Sequence, residues 1–558
     1  MTSFRKFSAC ASVVLALAAA PVLGADWRVV LSSDNPGIVL PQLPAPATDD
    51  YAIEDARLSD RTAPWIGFAL TRGANPGEQW AEKGGQLVRI ARTNAADATG
   101  PGRTGAESGH VFLQIQGDHD AGGTGNHRLF TAVAGAPGSS GNEQAIWRWD
   151  GTRNIEIARN EAGADSALGP GIGPGWSFYR LTPFGSFRSA DMRALPNGEA
   201  VLNAQVQGTG AGSQRDAIIR YRPGAGNAPC FLTGDLGPDW SPGVAGIGAF
   251  DSGPGADMLA VTPRAEIYGY ASTRGTGAAG SARGGIWRFC DGAPQVLALT
   301  GESGALGPGL ASATFGGIYA LLATGRAGEV LFTGQGQSDA GAFFGLFRHV
   351  DGANAPILLR GVESGARGPK IPGYAFQSGD IRYQVRAAGR YGVVKTSVAL
   401  VANPSQTVTG LWRITPDEGA TPIALYGDTG AYAPAPGRTW QSFYRFAVFE
   451  NGDVVVYGEI SNPLEHAVWR LRPGVAPERI LGQGTLVDVP TASGIAHVPV
   501  SIVYSTTTEN VASPGDDDRF NASGYMLQNN VELQGYSGGV LLRGNAMYLD
   551  RIFANGYD

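Results

Sequence analysis

Residues 145–151 read AIWRWDG, and variants of the phrase return along the rest of the chain. IIRYRPG occupies 218–224, IWRFCDG 286–292, LFRHVDG 346–352, LWRITPDEG 411–419 and VWRLRPG 468–474, with a degenerate earlier copy, QWAEKGG, at 79–85. The bulky second residue falls at Trp80, Trp147, Ile219, Trp287, Phe347, Trp412 and Trp469, between 57 and 72 residues apart. Self-similarity at that spacing signals a repeat architecture.

Each unit divides into four strand-like pieces. The fifth is the clearest: GGIYALLAT from Gly316, GEVLFTGQGQ from Gly328, LFRHV from Leu346 and APILLRG from Ala355, here termed strands A to D. Asp-Gly and Pro-Gly pairs mark the C–D turn of most units, and Asn-Gly marks the A–B turn at 197–198 and 451–452. Such pairs supply the positive φ that tight hairpins need. Four antiparallel strands per unit, repeated in a ring, describe an all-β β-propeller. The count predicts eight four-stranded blades, or seven if one of the first two units is a decorated loop. HVPVSIVYSTT (497–507), NASGYMLQNNVELQG (521–535) and GGVLLRG (538–544) read as strands A, B and C of a last blade, and WRVVLSS (27–33) as its missing strand D. The N-terminal strand is therefore expected to close the ring, leaving no open edge.

Side chains alternate faces along a strand. Trp147 and Trp149 share one face, as do Trp287 and Phe289, and these form the expected apolar layer between blades. The arginine between them (Arg148, Arg220, Arg288, Arg348, Arg413 or Arg470) points the other way. A structural pairing is expected for it, with the acid that follows strand D (Glu161, Asp235, Glu302, Glu363 or Asp428), because a group present in nearly every blade is a poor candidate for catalysis.

Several bulk properties narrow the function. Charged residues are 16% of the 558, glycines number 83 and the net charge is −7. No basic stripe exists to neutralise phosphates, so a nucleic-acid partner is excluded. Arg5 and Lys6 followed by ASVVLALAAA (11–20) read as a signal peptide over residues 1–25, with the propeller over 26–545 and a tail over 546–558. No later stretch is apolar and long enough to span a bilayer. The expected product is an exported monomer, periplasmic, extracellular or on the cell surface. Export permits a disulfide between Cys230 and Cys290, and two buried thiols are the other reading.

Strand B phrases such as PNGEAVLNAQVQG (196–208), ENGDVVVYGEI (450–460) and NASGYML (521–527) resemble the tandem NxxGxxAF-type repeats of bacterial exported proteins of undefined function. The phenylalanine of that pattern is replaced by Leu202, Tyr457 or Leu527. DRIFANGYD (550–558) resembles the IFxxGF-type tail of exported gram-negative proteins, with Tyr557 in place of the phenylalanine. The resemblance implies secretion or surface display and brings no catalytic residues.

Signatures of nucleophilic, zinc-protease, P-loop and haem chemistry are missing from the sequence. One polar cluster, QGDHDAGGTGNH (116–127), places Asp118, His119, Asp120 and His127 in the A–B loop of blade 2, a donor set that suits a divalent cation. The acidic run Asp516–Asp517–Asp518 lacks the alternating ligands of a calcium loop and reads as a solvated turn. His349 sits at a core position of a strand C, and His466 and His497 stand alone. The D–A loops carry Trp176, Trp240 and Trp440, which either stack on sugar rings or lid the core. No other cofactor is implied. The expected function is binding of a glycan or surface protein. The alternatives are a polysaccharide lyase or hydrolase with a site at the channel mouth, and a purely structural surface component.

Overall fold

The structure is a computed structural model that describes residues 27–544 with interruptions, the longest at 33–50, 182–191 and 504–519. For several outer strands it describes the backbone alone. The signal peptide, the tail, Trp240 and the Asp516–Asp518 run lie outside the described residues.

The chain is all-β, and its described strands form eight sheets, numbered I to VIII here. Sheets I to VII follow one another in sequence, over 51–92, 111–159, 176–232, 247–299, 314–359, 374–425 and 440–481. Each runs antiparallel in the order A-B-C-D. The fifth is representative, with strands Thr314–Ala323, Val330–Ser338, Gly341–Val350 and Ala353–Leu359. AIWRWDG supplies strand C of sheet II, Gln144–Trp149, and the QWAEKGG copy supplies strand C of sheet I, Asn75–Lys83.

Adjacent sheets share apolar layers. Trp147 packs with Phe112 and Phe130 against Ala81, Ile90 and Ala91 of sheet I. Ile219 faces sheet II, Trp287 sheet III, Phe347 sheet IV, Trp412 sheet V and Trp469 sheet VI. Every plug on strand C therefore faces the preceding sheet. The alternate residues face the following one, as Leu331 and Leu346 of sheet V do toward Trp412. Rings within these layers meet edge to face, for example Phe112–Trp147 at 5.0 Å and Phe250–Trp287 at 5.2 Å.

The loops after strand D explain the preference for tryptophan. A buried indole N–H needs an acceptor. Trp147, Trp287 and Trp412 donate to the carbonyls of Pro101, Pro242 and Pro369, at 3.3, 3.0 and 3.1 Å, each in the loop that leaves the preceding sheet. An asparagine at the start of strand D holds the same loop. Asn154 donates to the Ile90 and Gly100 carbonyls, Asn227 to Ile157 and Gly169, and Asn354 to Leu297, Ala305 and Gly307. The glycine after the proline has no room for a side chain. At Gly309, with φ 65°, a Cβ would lie 2.1 Å from the Asn354 carbonyl oxygen. The GPG phrases of the D–A loops are thus clamps between sheets.

Cys230 on strand D of sheet III and Cys290 after strand C of sheet IV are disulfide-bonded, which decides between the two readings of that pair. Sheet VIII departs from the expected arrangement. Trp27–Ser32 pairs antiparallel with Val540–Gly544, Leu31 opposite Leu541, and Val540–Gly544 pairs with Gly524–Gln528, as expected for strands D, C and B. The strand beside Gly524–Gln528 is the short Phe520–Asn521, however. The expected strand A, Gly494–Val503, instead forms a hairpin with Leu486–Thr491, which runs parallel to Trp27–Ser32, and pairs on its other side with Val531–Leu533. Its valines Val487, Val489, Val498 and Val500 cover sheet VII, and that burial sets its place.

Candidate functional site

The strand C arginines have partners other than the expected ones. Arg220 binds Glu199 at 2.7 Å, Arg288 lies 3.4 Å from Glu266, Arg348 lies 3.9 Å from Glu329, and Arg470 binds Asp453. All four acids sit on the A–B turn, immediately before strand B of the same sheet. The side chains on the far face of strand C run toward that turn, because strands B and C are hydrogen-bonded neighbours. Of the acids after strand D, Glu302 binds Arg283 and Asp428 accepts from the Gly430 and Tyr432 amides, while Glu161 and Asp235 lie outside the described residues.

Two sheets break this series. In sheet VI the turn position holds Tyr391, and the Arg413 guanidinium lies over its ring at 5.9 Å. In sheet II it holds His127, whose Nδ1 lies 2.9 Å from Arg148 Nη1. Burial, and then the Arg148 charge, push the His127 imidazole below the usual histidine range, against the Trp149 backbone and Asp150. A neutral ring accepting from the guanidinium fits both facts. Arg148 is buried, and the Gly198 turn of sheet III lies on the pair: a Cβ there would fall 2.4 Å from Arg148 Nη1.

Asp118, His119 and Asp120 belong to the strand Val111–Asp120 rather than to a loop, with His119 opposite Phe130 and Asp120 opposite Leu129. Their side chains lie outside the description, and His127 is engaged with Arg148. Among the described residues no group of three His, Cys, Asp or Glu is placed to hold a metal ion. Trp440 opens strand A of sheet VII, Trp440–Val448, and is fully buried, donating to the Tyr432 carbonyl at 3.0 Å and meeting Trp469 at 5.5 Å. No face of its ring is open to a sugar, so it is a lid on the core. Trp176 is half-buried on Gly208, with the Arg215 guanidinium 5.6 Å from its ring. His349 is buried against Asn354, as its position implied.

Strands C and D shift register at the plug in each of sheets I to VII, and a second irregularity, which varies in form, falls on the first strand. Strand A is split or bulged at one level in sheets II to VII. In sheet III it comes in two pieces, Trp176–Arg180 and Met192–Ala194, in sheet IV as Ile247–Ser252 and Leu259–Val261, and in sheet VI as Tyr374–Phe376 and Val385–Ala388. In sheets II, V and VII the register slips at Ile115/His119, Ile318/Leu321 and Phe443/Arg445. The level is that of the fourth residue after the turn position: Thr131, Asn203, Tyr270, Thr333, Lys395 and Tyr457. A break in pairing frees backbone N–H and C=O groups that need partners, and a polar residue stands at this level in all six sheets, although the Thr333 hydroxyl is buried with no partner among the described residues. Lys395 donates to the Phe443 carbonyl, at the bulge of the next sheet, at 2.8 Å.

Around that bulge lies a grouping of polar aromatic and ionisable side chains. The Tyr426 hydroxyl accepts from the Phe443 amide at 2.9 Å, and burial pushes it up to about 12. The Tyr444 hydroxyl donates to Glu459 at 2.5 Å, and its ring lies 5.9 Å from that of His466, the cross-strand partner of Glu459. His466 Nδ1 is buried and has no partner among the described residues. Burial holds Lys395 below the usual lysine range. None of the five was singled out from sequence except His466, which looked isolated. The signal available was the polar residue four places after the turn position, repeated unit after unit.

No family model matches the sequence, and no curated protein matches it. Solved structures with some likeness include an oligogalacturonate lyase in complex with manganese, 8% identical, covering 87% of this chain and 98% of that one at a TM-score of 0.32. A second is the Penicillium chrysogenum alpha-L-arabinanase complexed with arabinobiose, 11% identical over 68% and 97% of the two chains, with a TM-score of 0.22. A third is an exo-beta-1,3-galactanase from Phanerochaete chrysosporium with galactose, 8% identical over 93% and 96%, with a TM-score of 0.22. Likeness at this level says nothing about the chemistry of the chain.

Proposed function

We propose that the chain is an exported β-propeller of eight blades that binds a glycan on the belt of broken first strands. Support for the ring comes from Tyr51–Leu58 of sheet I, which lies against both Val111–Asp120 of sheet II and Gly524–Gln528 of sheet VIII. In such a ring the A strands are innermost, and their breaks surround the channel. The observation that carries the functional reading is the division of labour within each sheet. Arginines, turn acids, clamping asparagines and GPG loops repeat in place and hold the scaffold. The C–D register shift at each plug repeats as well, whereas irregularity that differs from sheet to sheet and varied polar groups collect in and beside strand A. Loops and breaks positioned by a rigid scaffold are where proteins carry recognition.

The test is an array of oligosaccharides probed with the purified protein. Saturable binding to a defined glycan subset, weakened by Tyr444→Ala at unchanged melting temperature, is the expected result. Uniform absence of binding removes this reading and leaves the structural surface component.

A second reading, a polysaccharide lyase or hydrolase, is favoured by one observation: Tyr444, Glu459 and His466 meet from three strands of sheet VII. A proton donor, a carboxylate and an imidazole with an unpartnered nitrogen are groups that acid–base chemistry uses. Release of unsaturated or reducing ends from a polysaccharide that scores on the array, lost in His466→Gln, would select it over simple binding.

A further inference from the structure

Lys395 has a structural task, the Phe443 carbonyl, but one backbone acceptor occupies a single N–H of an ammonium that has three. No carboxylate acts on it among the described residues: burial alone moves its ionisation. Its neighbours in the same register are neutral (Thr333, Tyr270, Asn203), so a cation is not what the break in strand A requires. On the same residue the Tyr426 hydroxyl accepts from the Phe443 amide. An accepting hydroxyl keeps its own proton to donate. Two donors, one of them cationic, thus meet the backbone of a single residue, and both side chains are partly exposed. A half-buried cation lacking a counter-ion favours an anionic ligand, and an oxygen pair suits two such donors. The Tyr426 ring packs on Phe443 at 4.8 Å and the Tyr444 ring on Tyr457 at 5.5 Å, and both remain partly exposed; amphipathic rings of this kind suit a sugar, which favours an acidic sugar over an acidic peptide.

From this geometry we propose that Lys395 and Tyr426 form a subsite for the carboxylate of an acidic sugar. The inference rests on the glycan-binding reading and names the class of glycan. Lys395 is then a specificity-determining residue: its ammonium selects a uronate-type unit over the neutral one of the same shape.

The experiment compares uronate-containing and neutral oligosaccharides on one array, with polyglutamate as a charged non-sugar control, for the unaltered protein and for Lys395→Gln, Lys395→Arg and Tyr426→Phe. Acidic sugars should bind, neutral ones and polyglutamate should not, and added salt should weaken the signal. Lys395→Gln should lose about tenfold or more, the effect of one charge-assisted hydrogen bond, while Lys395→Arg retains most of it. Tyr426→Phe should show a smaller loss. Melting temperatures accompany each variant, and if Lys395→Gln does not fold, Lys395→Arg, Tyr426→Phe and the salt dependence carry the test. Binding confined to neutral sugars overturns the carboxylate subsite and leaves the glycan reading standing. Binding to no glycan overturns both. Equal binding of polyglutamate overturns the sugar, and acidic binding undiminished in Lys395→Gln overturns the role of the lysine.

Discussion

The Nδ1 atom of His127 faces the Arg148 guanidinium at 2.9 Å, in the position where four other sheets place a carboxylate. A neutral imidazole in that place accepts a hydrogen bond but supplies no charge to the buried cation. His127→Glu should therefore recreate the pair seen between Arg220 and Glu199. An increase in melting temperature is expected, and a decrease would show that the turn of sheet III at Gly198 leaves no room for a carboxylate.

The same contact makes stability depend on pH. The imidazoles of His127 and His349 both titrate below their ordinary range in the folded chain, chiefly through burial. The unfolded chain takes up these protons first, near pH 6.5. Their contribution is complete above that pH and is lost as the pH falls from there toward the folded values, so stability rises with pH across the window. Urea midpoints measured across that window should rise with pH, and the slope should shrink in His127→Gln.

Trp287 tests the apolar layers. It is fully buried, meets Phe250 and donates to the Pro242 carbonyl. Trp287→Ala should cost about 3–5 kcal/mol, measured by chemical denaturation. Trp287→Phe should cost less, the remainder reporting the unpaired Pro242 carbonyl.

Asp453 is buried and Arg470 nearly so, at 8% and 13% side-chain exposure. Asp453→Asn leaves the guanidinium without its counter-charge and should cost on the order of 3 kcal/mol. Replacing both residues by apolar ones of similar size should cost much less. A loss in the double variant equal to the sum of the two single losses would mean that the pair is not coupled.

Reduction should loosen the contact between sheets III and IV. The Cys230–Cys290 bond closes a loop with a sequence separation of 60, and its removal by Cys230→Ser/Cys290→Ser should lower stability by about 2–4 kcal/mol. A denaturation midpoint unaffected by a reducing agent would show that the bond adds nothing to the non-covalent contacts around it.

The parts of the fold that were legible in the sequence are the local ones. Strand C announces itself because its plug must be bulky and its turn must contain glycine, and both requirements sit within seven residues. The arginine partners were misassigned although their signal was equally local: Glu199, Glu266, Glu329 and Asp453 all stand just before strand B, and His127 stands in line with them. Trp440 looked like a loop residue because the GRTW phrase follows a proline-rich stretch, yet its indole begins the next strand and fills the layer against Trp469. The breaks in strand A could not be read, since an insertion there destroys the alternation by which strands are recognised. The grouping of Lys395, Tyr426, Tyr444, Glu459 and His466 depends on which sheets are neighbours, and no spacing along the chain encodes that.

The pairing of Trp27–Ser32 with Val540–Gly544 has a consequence for biogenesis. The segment of sheet VIII that appears first during synthesis has to wait for the one that appears last. Until then its amides and carbonyls are a sticky edge that any extended chain can satisfy. A ribosome pause, or premature release within the final hundred residues, leaves every earlier sheet able to form and that edge uncapped. The last strand therefore guards nascent chains against self-association as well as completing the sheet.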